Sequence, residues 1–138
     1  MATQVKYEHF IEALVNTEID VFGVDDTFKA AIASDAPVVA SDDELADATQ
    51  ITGTGYTAGG EDITNDATRS GGTVTMTAAD VVWTASVGDW TAGRYLIIHD
   101  DTSTTDILMS YYDYGANFTL GNGETFTLDF GASFATFA

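Results

Sequence analysis

Residues 94–99 (RYLIIH) are almost all apolar, with no alternation between apolar and polar positions. A short run of that kind reads as a strand covered on both faces, and so as the central strand of a sheet. Shorter β-patterned segments surround it. Residues 73–77 alternate threonine with Val74 and Met76, residues 81–85 carry Trp83, and residues 107–114 form a further strand. In residues 124–130, Phe126, Leu128 and Phe130 point to one face and Thr125, Thr127 and Asp129 to the other. Gly121-Asn122-Gly123 predicts a hairpin turn, because an Asn-Gly pair tolerates positive φ. Upstream, residues 25–34 set Phe28, Ala30 and Ile32 against Lys29, Ala31 and Ala33, as a half-buried strand closed by Pro37 would. Six to eight short strands separated by glycine turns predict a mainly β chain, an antiparallel β-sandwich or jelly roll.

One helix is expected before the strands. Over residues 5–16, Tyr7, Phe10, Ile11, Leu14 and Val15 fall on one α-helical stripe, with Thr3 or Gln4 at its start and Gly23 beyond its end. Residues 41–48 (SDDELADA) predict a short acidic helical turn capped by Ser41 or Asp42. With 138 residues, 45% of them hydrophobic, residues 1–138 are expected to form a single domain around one core. No run of about eighteen apolar residues and no cationic leader is visible, so neither a membrane span nor a signal peptide is expected.

Charge narrows the partners. Twenty-two acidic residues against four basic ones give a net charge of −18. Lys6, Lys29, Arg69 and Arg94 are too few to neutralise a phosphate backbone, so no nucleic-acid partner is expected. The absence of cysteine excludes disulfides, thiolate nucleophiles and cysteine-ligated metals.

The stretch ITGTGYTAGGEDIT (51–64) tests a phosphate-loop reading directly. After Gly53 and Gly55 the third dinucleotide-fingerprint position holds Ala58, and Glu61 and Asp62 stand where a P-loop needs lysine and a hydroxyl. The expected role is structural. Gly53, Gly55, Gly59 and Gly60 turn the chain between strands, with Tyr56 as its anchor.

Catalytic constellations are sparse. No G-x-S-x-G elbow occurs, His9 lies opposite the expected helix stripe, and His99 reads as a strand-end histidine near solvent. Residues 99–106 (HDDTSTTD) offer Asp100, Asp101 and Asp106 to a cation, but depart from the D-x-[DN]-x-[DN]-G pattern of calcium loops. A solvated loop with no bound metal or other cofactor is the expectation there. Tyr111, Tyr112, Tyr114 and Trp90 either belong to core and rim or line a sugar-binding face. Phe134 and Phe137, near the end of the sequence, either close the core or dock on a neighbouring subunit.

Several blocks together resemble a family of small structural proteins of tailed bacteriophages and prophages. They are EALVNTEIDVF, DDTFKAAI, ITGTGYTAGGE, ADVVWTA, GRYLIIHDDTSTTDILMSYYDYGA and NGETFTLDF, in that order. The most specific element is GTGYTAGG followed some twenty residues later by Ala79-Asp80-Val81-Val82-Trp83-Thr84. The resemblance implies a virion component without enzymatic activity: a capsid decoration or cement protein on the outer capsid surface that binds the major capsid protein. Head-fibre and tail roles are its alternatives, including a module that recognises a cell-surface glycan through Trp90 and Tyr112. A homo-oligomer is expected, a trimer from the geometry of capsid positions between hexamers. The chain departs from the pattern in its acidity, at His99 and Asp100, and in its Phe-rich ending; Phe134, Phe137 and Trp90 are the interface candidates.

Overall fold

The computed structural model describes residues 4–22 and 26–137. Thr3, Gly23 and Asp25, expected as boundary residues, lie outside the described residues. In chain order the elements are β1 (Gln4–Lys6), α1 (His9–Val15), β2 (Phe28–Ala33), a 3-10 turn (Leu45–Asp47), β3 (Glu61–Ile63), β4 (Asn65–Ser70) and β5 (Thr73–Ala78). They continue with β6 (Val81–Thr84), β7 (Gly93–Asp100), β8 (Ile107–Phe118), β9 (Thr125–Leu128) and β10 (Ala135–Phe137). The fold is mainly β, with antiparallel pairing throughout and one helix.

β7 is the middle strand of a five-stranded sheet in the order β1-β8-β7-β2-β3. Its lack of alternation has a direct cause, because both faces of the sheet centre are covered. Phe28, Ala30, Ile32, Leu96 and Ile98 face the main core, which also holds Met76 of β5, Val81 and Trp83 of β6 and Leu128 of β9. The other face carries Ala31, Ala33, Ile97 and Leu108, roofed by Tyr7 and Leu45. The three-stranded sheet β10-β5-β4 and the pair β6-β9 complete a sandwich-like arrangement. Each fully buried large side chain in it, Trp83 and Phe130 among them, contributes on the order of 1.5–3 kcal/mol. A bulge at Met109 lets Ser110 pair with Ile98 while Leu108 pairs with His99, and reverses the facing of β8 beyond that point.

The structure differs from the sequence expectations in several places. Residues 4–6 are a strand on the edge of β8, not the start of a helix, so α1 is shorter than 5–16. Its buried residues are Phe10 and Ala13, while Ile11 is 41% and Val15 76% exposed. Fewer than two turns do not fix a face by periodicity; the seat of Phe10 against the Phe137 ring does. β2 is buried on both faces instead of half-buried, because residues 34–48 fold back over its second face. The 3-10 turn is capped by Glu44 in a reciprocal box with Asp47, not by Ser41 or Asp42. Asp42 instead accepts the Val38 N–H at 2.7 Å. The turn at 121–123 joins strands of different sheets, since β8 pairs with β1 and β7 while β9 pairs with β6. It is a corner, not a hairpin.

Candidate functional site

The glycine-rich stretch lies along the outer edge of β2. β3 covers that edge only from Phe28 to Ala30, and further along the edge the loop takes over. Ile51 N–H donates to Ile32 O at 3.0 Å, and Ser34 N–H to Thr49 O at 2.9 Å. The Tyr56 hydroxyl accepts the Ile32 N–H at 3.0 Å and donates to Gln50 Oε1 at 2.9 Å. A side-chain oxygen thus stands where a neighbouring strand would place a carbonyl, and the sheet edge is closed. Burial pushes the Tyr56 phenol up to about 12. Gly60, at φ +84°, lies so close to β2 that a Cβ there would sit 1.8 Å from Ala30 O. Gly55 (φ +96°) backs onto Thr84 O, whereas Gly59 (φ +94°) faces open space. A Cβ on Gly53 would meet the Trp90 ring.

This loop also orients a buried histidine. Gln50 Oε1 accepts the Gly59 N–H at 2.7 Å, and the Gly59 carbonyl lies 2.8 Å from His99 Nε2. A carbonyl can only accept, so Nε2 carries the proton and Nδ1 is left facing away from the loop. His99 is fully buried, which corrects the expectation of a histidine near solvent. The fold-back of residues 51–60 over the sheet edge is the reason. Nδ1 has no hydrogen-bond partner, and the Asp106 carboxylate lies 3.9 Å from it. Burial holds the imidazole below its ordinary pKa, outweighing the Gly59 hydrogen bond and the nearby aspartates. At neutral pH, His99 and Asp106 are therefore not an ion pair. A lone pair faces a carboxylate.

Asp101 completes the group: one ligand atom each from His99, Asp101 and Asp106 fall within 4.8 Å of one another. Lys29, directly across from His99 on β2, reaches Asp101 Oδ2 at 3.1 Å and Asp62 Oδ1 at 3.9 Å. Asp100, the third acid expected in this loop, is not part of the cluster. It is fully buried and its Oδ1 accepts the Thr102 N–H at 2.8 Å, a placement that raises its pKa through burial. The β7–β8 connection is pinned by Ser103, whose hydroxyl donates to Asp100 O and accepts the Ile107 N–H. The sequence offers Asp101 and Asp106 as ligands but places His99 near solvent, because the loop that buries it lies forty residues upstream.

The interface and sugar-binding candidates are largely internal. Trp90 is 3% exposed, donates from Nε1 to Thr54 O at 2.9 Å and packs edge-on to Tyr56. Tyr112 and Phe134 are buried, and Phe137 is half-buried against Phe10. Of the two roles the sequence left open for Trp90 and Tyr112, core and rim or a sugar-binding face, their burial fits the core. Among these candidates the exposed aromatic is Tyr114, which packs on Phe118 and Phe126. A second apolar feature lies beside α1. A groove of about 320 Å³ is lined by Phe10, Ile11, Met109, Ala135 and Phe137, with Lys6 among its polar members. No helix among the described residues is long and apolar enough to cross a membrane. No protein-family model, curated protein or solved structure matches this chain.

Proposed function

We propose that this chain is a structural protein of a tailed-phage virion, a decoration protein that binds the major capsid protein on the outer capsid surface and stabilises the head. The observation that carries the reading is the α1 face: Ile11, on the wall of the apolar groove, and Val15, one helical turn on, stand exposed on a chain of net charge −18. Single exposed apolar residues are ordinary, but a groove with an apolar helix face beside it marks a docking surface. The resemblance of the sequence blocks to phage structural proteins supplies the partner. Acidity suits a surface turned away from packaged DNA, whose phosphates this chain has few cations to meet.

In this reading the protein acts by adhesion, as a homo-oligomer with a trimer favoured at three-fold capsid positions. Each contact is weak, and repetition over the shell makes the sum strong. The test is sedimentation of purified protein with empty capsids of the phage or prophage that encodes it. Co-sedimentation that Ile11→Ser/Val15→Ser abolishes supports the proposal. A protein that stays in the supernatant as a monomer contradicts it.

A further inference from the structure

We propose that His99, Asp101 and Asp106 form a binding site for one divalent cation of the zinc type, with His99 Nδ1 as the nitrogen ligand. The cluster is more than a group of acids. His99 is wholly buried, its Nδ1 lacks a hydrogen-bond partner, and that atom points at the Asp106 carboxylate 3.9 Å away. A nitrogen lone pair opposed to a carboxylate is an unfavourable pairing until a cation stands between them.

The other ring nitrogen strengthens the assignment. Metal-bound histidines commonly donate their second N–H to a backbone carbonyl, which fixes the tautomer and aims the free nitrogen. His99 does this through Gly59 O at 2.8 Å, and Gly59 is held in turn by Gln50. The metal ligand would thus be oriented by the glycine-rich loop. The three donor atoms lie within 4.8 Å of one another. Two ligands about 2.0–2.2 Å from zinc span at most about 4.4 Å, so a small side-chain adjustment closes the site. Asp101 and Asp106, the two partly exposed members, have the room to make it. Their remaining side opens to solvent, which leaves a coordination position for water. An imidazole nitrogen with two carboxylates favours zinc and similar transition ions over calcium, whose ligands are all oxygen.

Lys29 is the built-in competitor, since its ammonium already neutralises one oxygen of Asp101 at 3.1 Å. Its removal, in Lys29→Met, should tighten cation binding.

The experiment titrates the full chain, uniformly 15N-labelled, with zinc chloride and separately with calcium chloride. Calorimetry reads the affinity and long-range 15N–1H spectra read the histidine rings. Zinc should bind one to one and shift the His99 Nδ1 resonance while Nε2 stays protonated, with His9 unmoved as the internal control. Asp106→Asn should weaken zinc binding by more than about tenfold, since even residues outside the ligand shell change metal affinity ten- to a hundredfold. Asparagine tolerates the φ of +55° at this position, so the variant keeps the fold. Asp101→Asn, which removes a charge from the other carboxylate ligand, should weaken binding in the same way. The proposal is overturned if the His99 resonance does not move, if both variants bind zinc like the parent, or if calcium binds as tightly as zinc.

Discussion

Replacement of Gly60 by alanine isolates the seal between the glycine-rich loop and the central sheet. Two costs add at this position. A φ of +84° costs an alanine about 1–2 kcal/mol. The new Cβ would also sit 1.8 Å from Ala30 O, 2.5 Å from its carbonyl carbon and 2.7 Å from Ala31 Cα, and all three are backbone atoms. β2 cannot retreat, because Ala30 is paired to Glu61 on one side and Ile98 on the other, and Ala31 is fully buried beneath. The loop must therefore lift, loosening the bonds from Ile51 and Tyr56 to Ile32. The total should reach about 4 kcal/mol, at the upper end of single-substitution effects. Gly59→Ala is the matched control: its φ is +94° but nothing lies within 4 Å of the added atom, so only the dihedral cost of about 1–2 kcal/mol applies. Urea unfolding followed by tryptophan fluorescence should separate the variants by at least about 2 kcal/mol at unchanged m-value. At about 3–5 °C per kcal/mol for a chain of this length, the Tm gap is about 6–10 °C. Equal midpoints for the two variants would refute the claim that this loop closes the edge of β2 by close backbone contact.

Four further outcomes are expected. Tyr56→Phe leaves the buried Ile32 N–H without its acceptor and should cost about 1–3 kcal/mol, with faster hydrogen exchange at Ile32 as the local readout. Phe134→Ala empties a fully enclosed site beside Phe130 and should destabilise the chain by about 3–5 kcal/mol; unchanged stability would mean that the side chain serves a surface instead. Arg94 donates to both oxygens of Asp113, at 2.7 and 2.9 Å, and these bonds together with the Gly115 N–H hold the Asp113 carboxyl below its ordinary pKa. Any stability from this pair is therefore complete above the ordinary carboxylate pKa and lost as pH falls through the lowered value; the NMR midpoint of Asp113 should rise in Arg94→Gln. The Ile11→Ser/Val15→Ser protein should keep the parent Tm, because both side chains are exposed, while losing capsid binding.

The legible part of this fold was the part whose covering is local. β7 announced itself because a strand covered on both faces has no polar side to display, and the alternation of Phe126 and Leu128 against Thr125 and Thr127 matches their burial in β9. β4, whose sequence NDATRS is polar and mostly exposed, was not anticipated, since it is held chiefly by pairing with β5. β1 and β10, three residues each, are too short for any period to register. The positive φ values of Gly53, Gly55, Gly59 and Gly60 agree with a turning role, yet the sequence could not distinguish Gly60, pressed on β2, from Gly59, where an added Cβ would meet nothing. For the same reason His99 read as exposed. Its burial depends on a carbonyl forty positions away, and composition carries no trace of a long-range contact.

The proposed adhesion to a capsid is open to direct observation in a cryo-EM reconstruction of the virion. Density matching this fold should stand on the outer capsid surface, with the groove beside α1 covered by the major capsid protein or by a second copy. Mature particles whose outer surface lacks that density, while the protein remains monomeric in the lysate, would contradict it.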